Sequence, residues 1–337
     1  MKSKSNQLSS RVTAKDVAER AGVSKWTVNR AFNENAPISS DTKTKVLKAA
    51  DELGYRPNLL ARSLSNQSTN ICGIVVDEMD NPHLAVVLNE VTTQLQQRGY
   101  TSLLLNISSE SNSKNVLKLA DQLQVAGLIF LGTILSEELV SIAQDIHNIS
   151  LVQIYRNNVN SRIQVVATNG YSAGQEVGKL FCKEGYRSFG YLKGADTESW
   201  ELLRLDGYRD YLYTQGLELN EILISYKYDY ESGYETVKNY LKNTPPTEYF
   251  EALFCENDII AMGAIDAIKD HGNGIKIAVV GFDDIDLAAA SSYNLTTYRQ
   301  PRNMIVSKAI DRLLAPNLAK NKELLTGELV LRESHKR

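Results

Sequence analysis

Apolar positions recur at helical spacing near the start of the chain and predict two short helices joined by a tight turn at Gly22. Thr13 can cap the first helix, and Ser24 can cap the second, which begins at Lys25. One face of each helix is apolar and is expected to be buried: Val17, Ala18 and Ala21 on the first, and Val28, Ala31 and Phe32 on the second. A helix-turn-helix of this kind lays its second helix in the major groove of DNA.

The outward face of the second helix carries hydrogen-bond donors and one large aromatic side chain: Lys25, Trp26, Asn29, Arg30 and Asn33. A third helix is predicted from a cap at Ser39 to about Leu53. Two interpretations stay open at this point. The unit binds DNA, or it is an ordinary three-helix unit for protein contacts. Trp26 is exposed, or it packs against a neighbouring segment.

Charge separates the two ends of the chain. Residues 1–65 hold 12 Lys and Arg against 6 Asp and Glu, whereas the remaining residues hold 25 against 34. The overall formal charge of −3 therefore conceals a basic head on an acidic body. Together with the donor-rich helix face, this asymmetry favours a polyanion, double-stranded DNA, as the partner of the head.

A short amphipathic stretch follows the three predicted helices, "NLLARSL" from Asn58 to Leu64. Leu60, Ala61 and Leu64 give it a small apolar face. A helix of about seven residues is too short to be stable alone in water, so we expect this one to order only against a partner. The polar residues at 65–70 are typical of a linker.

From Ile71 onwards, short apolar runs alternate with helical stretches, which predicts doubly wound parallel sheets. These runs are too many for one compact unit, so we expect two lobes with a ligand crevice at the carboxyl ends of the strands. No G-x-G-x-x-G motif or P-loop is present, and no nucleotide cofactor is expected. The predicted strands are "ICGIVVDE", "TSLLLNI", "GLIFLGT", "SLVQIY", "QVVATN", "FGYLKG", "LISYKYD", "ALFCEN" and "IAVVGFDD".

Bulk composition argues against several other classes of protein. The longest apolar runs are far shorter than the roughly 18 residues of a membrane span, and the N-terminal sequence has no apolar export segment. Cys72, Cys182 and Cys255 lie apart in apolar segments and are expected to be buried thiols of a cytoplasmic protein. The 4 histidines lack metal-ligand spacing, so we expect no metal site and no cofactor.

The motifs "AKDVAERAGVS", "LGYRPN" and "ARSL" resemble the lactose repressor (LacI) family of transcription regulators. The body resembles periplasmic sugar-binding proteins, as the regulatory domain of that family does, and the likeness extends over residues 12–334. It implies an N-terminal all-α helix-turn-helix headpiece plus an α/β body of two doubly wound parallel-sheet lobes. The matching body motifs are "DNPHLAVVLNEV", "GYRSFGYLKG", "RLDGYRDYL", "FCENDIIAMGA", "VVGFDDIDLA", "LTTYRQP" and "LVLRES".

The resemblance also implies the domain boundaries. A helix-turn-helix domain would span 11–56, a hinge helix and linker 57–69, and an effector-binding and dimerisation domain 70–337. The chain would cross between the lobes three times. Lobe one is then 70–168 plus 298–326, and lobe two is 169–297 plus 327–337.

In this family the hinge helix folds on operator DNA, which implies that Leu64 is inserted into the minor groove with Ala61 beside it. Trp26 and Asn29 depart from the usual family residues, so the operator sequence is not transferable. The residues expected to contact DNA are Thr13, Ser24, Lys25, Trp26, Thr27, Asn29, Arg30, Asn33, Tyr55, Asn58, Ala61 and Leu64.

The resemblance assigns ligand binding to the crevice. Arg204 matches an arginine that binds ligand hydroxyls or carboxylates, Asp283 matches its acidic partner, and Tyr228 matches an aromatic that stacks on the ligand. This set suits a polyol, so we expect a sugar effector, with a purine as the alternative. A structural ion pair between Arg204 and Asp283, and a helix cap at Asp258, are the competing structural roles. The residues expected to bind the effector are His83, Arg156, Trp200, Arg204, Tyr228, Asn257 and Asp283.

Several residues at the expected crevice depart from the family pattern. Tyr155 and Thr168 stand where the family usually has aspartate, and His83 with Leu84 replaces a common Phe-Phe pair. These departures leave the identity of the effector open.

The segment "GYSAG", residues 170–174, matches the G-x-S-x-G nucleophile elbow of α/β-hydrolases. A catalytic triad would need a histidine beside Ser172, and the histidines that follow are His271, at a helix end, and His335, in the C-terminal tail. In the family this segment opens the first helix of the second lobe, where Ala173 and Gly174 allow close packing. We therefore expect no enzyme activity and keep an esterase as the minor alternative.

The sequence thus predicts a cytoplasmic homodimeric transcription regulator, a repressor, that binds a pseudo-palindromic operator. A small molecule that closes the crevice would change the separation of the two hinge segments and so the affinity for DNA. A solute-binding protein is the alternative from another class. It would share the body, but it needs an export signal and has no use for the head.

Overall fold

The fold is described from a computed structural model, which covers residues 12–32, 36–56, 69–76, 79, 81–107, 110–131, 137–146, 149–156, 163–194, 203–272, 274–315 and 322–336. The chain divides into two compact units, Met1–Thr69 and Asn70–Arg337. Each unit has its own hydrophobic core. In the part of the chain covered, no helix combines the length and apolar character needed to span a lipid bilayer.

The first unit contains three helices, α1 (Ala14–Ala21), α2 (Lys25–Ala31) and α3 (Ser40–Glu52). The predicted caps are present. Thr13 and Asp16 exchange hydrogen bonds at the start of α1, and Ser24 accepts a hydrogen bond from the Thr27 amide at 3.1 Å. Gly22 ends α1 with φ 65°, a left-handed conformation that favours glycine. The apolar stripes of the helices meet around the fully buried Val17, Val28 and Val46.

The first lobe of the second unit is a parallel sheet covered by helices on both faces. Six of its strands are described, in the order β11-β5-β4-β3-β1-β2. They are β1 (Ile71–Val76), β2 (Thr101–Asn106), β3 (Gly127–Leu131), β4 (Leu151–Ile154), β5 (Gln164–Thr168) and β11 (Lys322–Leu325). The helices are α4 (Pro82–Gln97), α5 (Glu110–Gln122), α6 (Glu137–Ser141) with a π-helical turn over Ile142–Ile146, and α11 (Arg302–Leu314).

The second lobe repeats this plan with strand order β12-β10-β9-β8-β6-β7. Its strands are β6 (Phe189–Lys193), β7 (Glu221–Ile224), β8 (Ala252–Cys255), β9 (Ala278–Asp283), β10 (Thr296–Arg299) and β12 (Glu328–Val330). Its helices are α7 (Gly170–Lys183), α8 (Arg204–Thr214), α9 (Tyr230–Asn243) and α10 (Asp258–His271), with 3-10 turns at Pro246–Glu248 and Asp286–Ala289. The edge strand β12 is antiparallel to β10, whereas the other paired strands are parallel.

Two sequence predictions about the second unit need correction. The predicted switch between residues 297 and 298 falls inside β10, which pairs with β9 along its whole length. Tyr298 is fully buried and stacks on Phe282 with 5.3 Å between ring centroids, so the chain stays in the second lobe through Arg299. The strand expected in "LISYKYD" lies earlier, at Glu221–Ile224.

The three thiols differ in burial. Cys72 and Cys255 are buried as expected, but Cys182 is only half-buried. Burial raises the pKa of Cys72 to about 12, so this thiol is protonated at neutral pH. Within the described ranges, no group of three or more His, Cys, Asp or Glu side chains could hold a metal ion.

Candidate DNA interface and effector pocket

The outward face of α2 is exposed, as a DNA-reading helix requires. Trp26 is 66% exposed, so the alternative in which it packs against a neighbouring segment is wrong. Lys25 and Asn29 are also exposed, and the guanidinium carbon of Arg30 lies 4.3 Å from the centroid of the Trp26 ring. The hydroxyl of Thr27 is hydrogen-bonded to that of Ser24 at 2.9 Å.

The remaining residues of the expected DNA interface fall into three groups. Thr13 and Ser24 use their side-chain oxygens as helix caps. Tyr55 is half-buried and packs edge-on against Phe32, with ring centroids 5.8 Å apart. Asn33 and the hinge residues Asn58, Ala61 and Leu64 lie outside the described residues.

A cavity lies between the two lobes at the carboxyl ends of their strands. One wall is apolar and comes from the first lobe. Trp200 lies outside the described residues, and the other six residues expected to bind the effector all line this cavity. The lining consists of Asn81, His83, Leu84, Val87, Leu131, Ile154, Tyr155, Arg156, Arg204, Tyr228, Asn257, Asp283 and Gln300.

Arg204 is the first residue of α8 and is 6% exposed. Its guanidinium carbon lies 3.4 Å from the centroid of the Phe282 ring, and its Nη1 donates a hydrogen bond to the main-chain oxygen of Glu256. The carboxylate of Asp283 instead accepts a hydrogen bond from Gln300. Arg204 and Asp283 are therefore held by different partners, and the structural ion pair considered from the sequence does not form.

A chain of buried hydrogen bonds crosses between the lobes beside the cavity. The Thr168 hydroxyl, at the end of β5, donates to Gln300 Oε1 at 2.5 Å, and Gln300 Nε2 donates to Asp283 Oδ1 at 2.7 Å. His83 Nε2, from the first lobe, lies 4.0 Å from the same Asp283 oxygen. Gln300 was not among the expected site residues. It connects strands from both lobes because it follows β10 at the point where the chain changes lobe.

Tyr228 is held by Glu256, a second residue that the sequence reasoning missed. The Tyr228 hydroxyl donates to Glu256 Oε2 at 2.9 Å. Arg156 lies on the Tyr228 ring, with its guanidinium carbon 5.5 Å from the centroid. The only sequence signal for Glu256 is a charged residue directly after the buried strand β8.

Several buried polar atoms of the cavity have no hydrogen-bond partner among the described residues: both ring nitrogens of His83, the Tyr155 hydroxyl and Asn257 Nδ2. Burial lowers the pKa of His83, although the nearby Asp283 opposes this effect. The imidazole is therefore neutral at pH 7 and offers one donor and one acceptor. Burial also raises the pKa of Tyr155, which keeps its phenol protonated.

Backbone conformation at the cavity is unusual at three positions. Tyr155 (φ 66°), Leu203 (φ 58°) and Asp283 (φ 116°) lie in the region of φ that favours glycine. Tyr155 and Asp283 line the cavity, and Leu203 directly precedes Arg204. Strained residues of this kind persist where the surrounding structure holds a functional geometry.

Asp258 has a different role from the expected helix cap. Asn257 caps α10 through its side-chain oxygen, which accepts from the Ile260 amide at 3.1 Å. The buried Asp258 carboxylate accepts from the Thr297 hydroxyl at 2.5 Å and from the Ile285 amide at 2.9 Å. Burial, with Asp283 nearby, raises the pKa of Asp258 well above its usual value.

Comparison with known proteins identifies the family. A sequence profile described as "Bacterial regulatory proteins, lacI family" matches residues 13–58, and one described as "Periplasmic binding protein-like domain" matches residues 179–335. The HTH-type transcriptional repressor PurR of Photobacterium profundum is 31% identical, with 96% of this chain and 98% of that protein covered. The chain belongs to the lacI family of bacterial regulatory proteins.

Further relatives support the same family assignment. PurR of Pasteurella multocida is 28% identical over 96% of this chain and 98% of that protein. The lac repressor dimer bound to operator and the anti-inducer ONPF matches with a TM-score of 0.85 and 23% identity, over 97% of this chain and 100% of that chain. The predicted fold class and the predicted DNA-binding transcription regulator are therefore confirmed.

Within this lacI-family fold, the "GYSAG" segment is the first turn of α7. The Ser172 hydroxyl donates to the main-chain oxygen of Asn169 at 3.0 Å. His271 lies 3.5 Å from the Tyr249 hydroxyl, and the buried His335 bonds to Thr296 at 2.7 Å. Both histidines therefore have other partners.

The glycine at the end of "GYSAG" is required by helix packing. A Cβ at Gly174 would collide with the main-chain oxygen of Arg204 and lie 2.7 Å from the amide nitrogen of Tyr208, both in α8. Close contact between α7 and α8 thus accounts for a small residue at Gly174, and this packing positions the helix that begins with Arg204.

Proposed function

We propose that this protein is a transcriptional repressor that binds operator DNA as a homodimer through α2, and that a small molecule in the inter-lobe cavity changes its affinity for DNA. The observation that carries the proposal is the chain from Thr168 through Gln300 to Asp283, which joins the two lobes at the cavity wall. A ligand that contacts Asp283 and His83 favours one arrangement of the lobes, and such differential binding is what control of a second site requires.

For the effector, the cavity supports the purine alternative over the sugar that the sequence favoured. A sugar needs a hydrogen-bond partner for each of its many hydroxyl groups, but the wall from the first lobe offers few, and both ends of the Gln300 amide are already bonded, to Thr168 and Asp283. An apolar wall and a few unpaired polar atoms suit a flat ring with a polar edge. The relatives named PurR point the same way.

We further infer that the protein carries out no catalytic step and acts in the cytoplasm, where its operator DNA lies. The bonded Ser172 hydroxyl and the lacI-family membership support the first inference. An esterase would hydrolyse p-nitrophenyl acetate and lose that activity in Ser172→Ala. We expect no activity above that of a buffer blank.

Two steps test the proposal. Selection of bound duplexes from a random pool should return a two-fold symmetric site, with enrichment lost in Arg30→Ala. A thermal-shift screen should then compare hypoxanthine, adenine, ribose, glucose and ribose 5-phosphate.

We expect hypoxanthine or adenine to stabilise the wild-type protein and to lose this effect in Arg204→Ala. A sugar hit would restore the sugar assignment. Failure to enrich any sequence would contradict operator binding.

A further inference from the structure

Glu256 is a buried carboxylate at the carboxyl end of β8, only 1% exposed. From donors in the described part of the chain it accepts three hydrogen bonds. The Tyr191 hydroxyl donates to Oε1 at 3.1 Å, and the Tyr228 hydroxyl and the Gly194 amide donate to Oε2 at 2.9 and 2.7 Å. A charge this deeply buried is tolerated only when donors surround it, and these three donors cover both oxygens of the Glu256 carboxylate.

Only one of these three donors belongs to the effector cavity. Tyr228 lines it, whereas Tyr191 and Gly194 are not among its described lining residues. Gly194 lies directly against the Tyr228 ring, because a Cβ at this position would collide with the ring atoms. The ring of Tyr228 is thus fixed by the Glu256 carboxylate at its hydroxyl and by Gly194 at its side.

Glu256 also reaches a second lining residue through its main chain. Its carbonyl oxygen accepts a hydrogen bond from Arg204 Nη1. Because Glu256 directly precedes the cap residue Asn257, it lies where β8 gives way to α10. One residue therefore holds both Tyr228 and Arg204, although its own carboxylate is absent from the described lining of the cavity.

We propose that Glu256 is a positioning residue that determines effector specificity, because it accepts the hydrogen bond of the Tyr228 hydroxyl and fixes the orientation of the Tyr228 ring. Tyr228 then offers the effector an aromatic ring and no hydroxyl donor. Ligands with a flat apolar face beside Tyr228 are favoured, and those that need a donated hydrogen bond there are rejected. The choice of ligand rests on the proposed function, whereas the geometry of Tyr228 does not.

The first test needs no ligand. We would place 3-fluorotyrosine at position 228 and follow its ¹⁹F signal against pH in the full-length protein. Burial and the Glu256 charge both raise the pKa of Tyr228. Glu256→Gln removes the charge, so the signal should move and the phenol should titrate at lower pH.

Tyr191→Phe is the matched control, because it removes the donor on the other carboxylate oxygen and should leave the signal nearly unchanged. An unchanged signal and titration in Glu256→Gln would overturn the proposal.

The second test measures affinity for hypoxanthine and ribose by calorimetry. Release of the Tyr228 ring costs the ligand at most the free energy of the hydrogen bond that held the ring, so Glu256→Gln and Tyr228→Phe should each weaken hypoxanthine binding by about 3- to 10-fold. Tyr191→Phe should change it by less than about 2-fold. The double variant with Glu256→Gln and Tyr228→Phe should bind hypoxanthine no more weakly than the single variant with the lower affinity. Both substitutions remove the same contact. Losses that multiply would contradict the proposal.

Two further outcomes remain decisive. If the wild-type protein binds neither probe, the proposed effector class is wrong, and the ¹⁹F test alone decides the role of Glu256. If Glu256→Gln fails to fold, as judged by circular dichroism, the two phenylalanine variants decide. Weaker hypoxanthine binding in Tyr228→Phe but not in Tyr191→Phe supports the positioning role, and equal affinities in both overturn it.

Discussion

Trp26 and Arg30 form a cation–π pair on the exposed face of α2, with the guanidinium carbon of Arg30 4.3 Å from the centroid of the Trp26 ring. The two residues are one helical turn apart, which is the spacing at which helix side chains meet. Stacking on an indole holds the guanidinium plane in a defined orientation. Arginine reads guanine through two parallel hydrogen bonds. A guanidinium plane that is already fixed therefore lowers the entropy cost of ordering the Arg30 side chain on DNA.

Removal of the indole should therefore weaken DNA binding through Arg30. We expect Trp26→Ala to reduce affinity for the selected duplex by about 2- to 30-fold, the range of an exposed to desolvated cation–π contact. Fluorescence anisotropy with a labelled duplex measures the change. In an Arg30→Ala background the same substitution should have little further effect. A full additional loss there would show that Trp26 contacts DNA independently of Arg30.

The buried histidine predicts a pH dependence of stability. The folded-state pKa of His83 is below its ordinary value of 6.5, so folding favours the neutral ring. Its stabilising contribution is complete above about pH 6.5 and is lost as the pH falls through that value towards the folded-state pKa. His83→Phe should reduce the loss of melting temperature between about pH 7.5 and pH 5.

His335 contributes to the same pH dependence, since burial also lowers its pKa. The change of melting temperature with pH should thus be smaller in His83→Phe than in the wild-type protein, but it should not vanish. An equal change of melting temperature with pH in both proteins would show that His83 does not titrate between about pH 5 and pH 7.5.

The close contact of α7 with α8 predicts that one added methyl group at Gly174 lowers the stability of the protein strongly. Gly174→Ala should lower the free energy of unfolding by about 2–3 kcal/mol, because the new Cβ meets main-chain atoms that cannot rotate away. Gly178→Ala, one turn later on α7, is the matched control. Its Cβ would meet only side-chain atoms of Tyr211 and Tyr208 at 3.0 Å or more.

We expect Gly178→Ala to change stability by less than about 1 kcal/mol, since alanine favours the helix. Urea denaturation of both variants gives the comparison. Equal losses of stability in the two variants would show that the contact between α7 and α8 is not as tight as described.

The bonds through Gln300 predict a coupling between the lobes. Thr168→Val keeps the shape of the side chain but leaves Gln300 Oε1 without its donor, at a cost of about 1–3 kcal/mol in unfolding free energy. Gln300→Ala should remove this effect of Thr168→Val, since the acceptor is then gone. Denaturation of the two single variants and the double variant measures the coupling. Independent effects would contradict the hydrogen-bond chain.

Local features were predicted well because they depend on neighbouring residues. The caps at Thr13 and Ser24 and the turn at Gly22 follow from chemistry within three or four positions. The predicted exposure of Trp26 follows from helical spacing alone.

Features that depend on distant contacts were missed or misplaced. Gln300 and Thr168 are 132 positions apart, and no sequence pattern links them. The strands β10, β11 and β12 are only three or four residues long, too short for a clear pattern, and none was among the predicted strands. Asp258 looked like a helix cap, but the cap is Asn257, because the Asp258 carboxylate is held by Thr297 and Ile285.

The central claim is that a ligand in the inter-lobe cavity controls DNA affinity. The most direct measurement is the dissociation constant of the selected duplex at fixed salt, with and without a saturating amount of the ligand found in the thermal-shift screen. We predict a change of about 5-fold or more in the wild-type protein, and none in Arg204→Ala. A dissociation constant that is the same with and without bound ligand would contradict it.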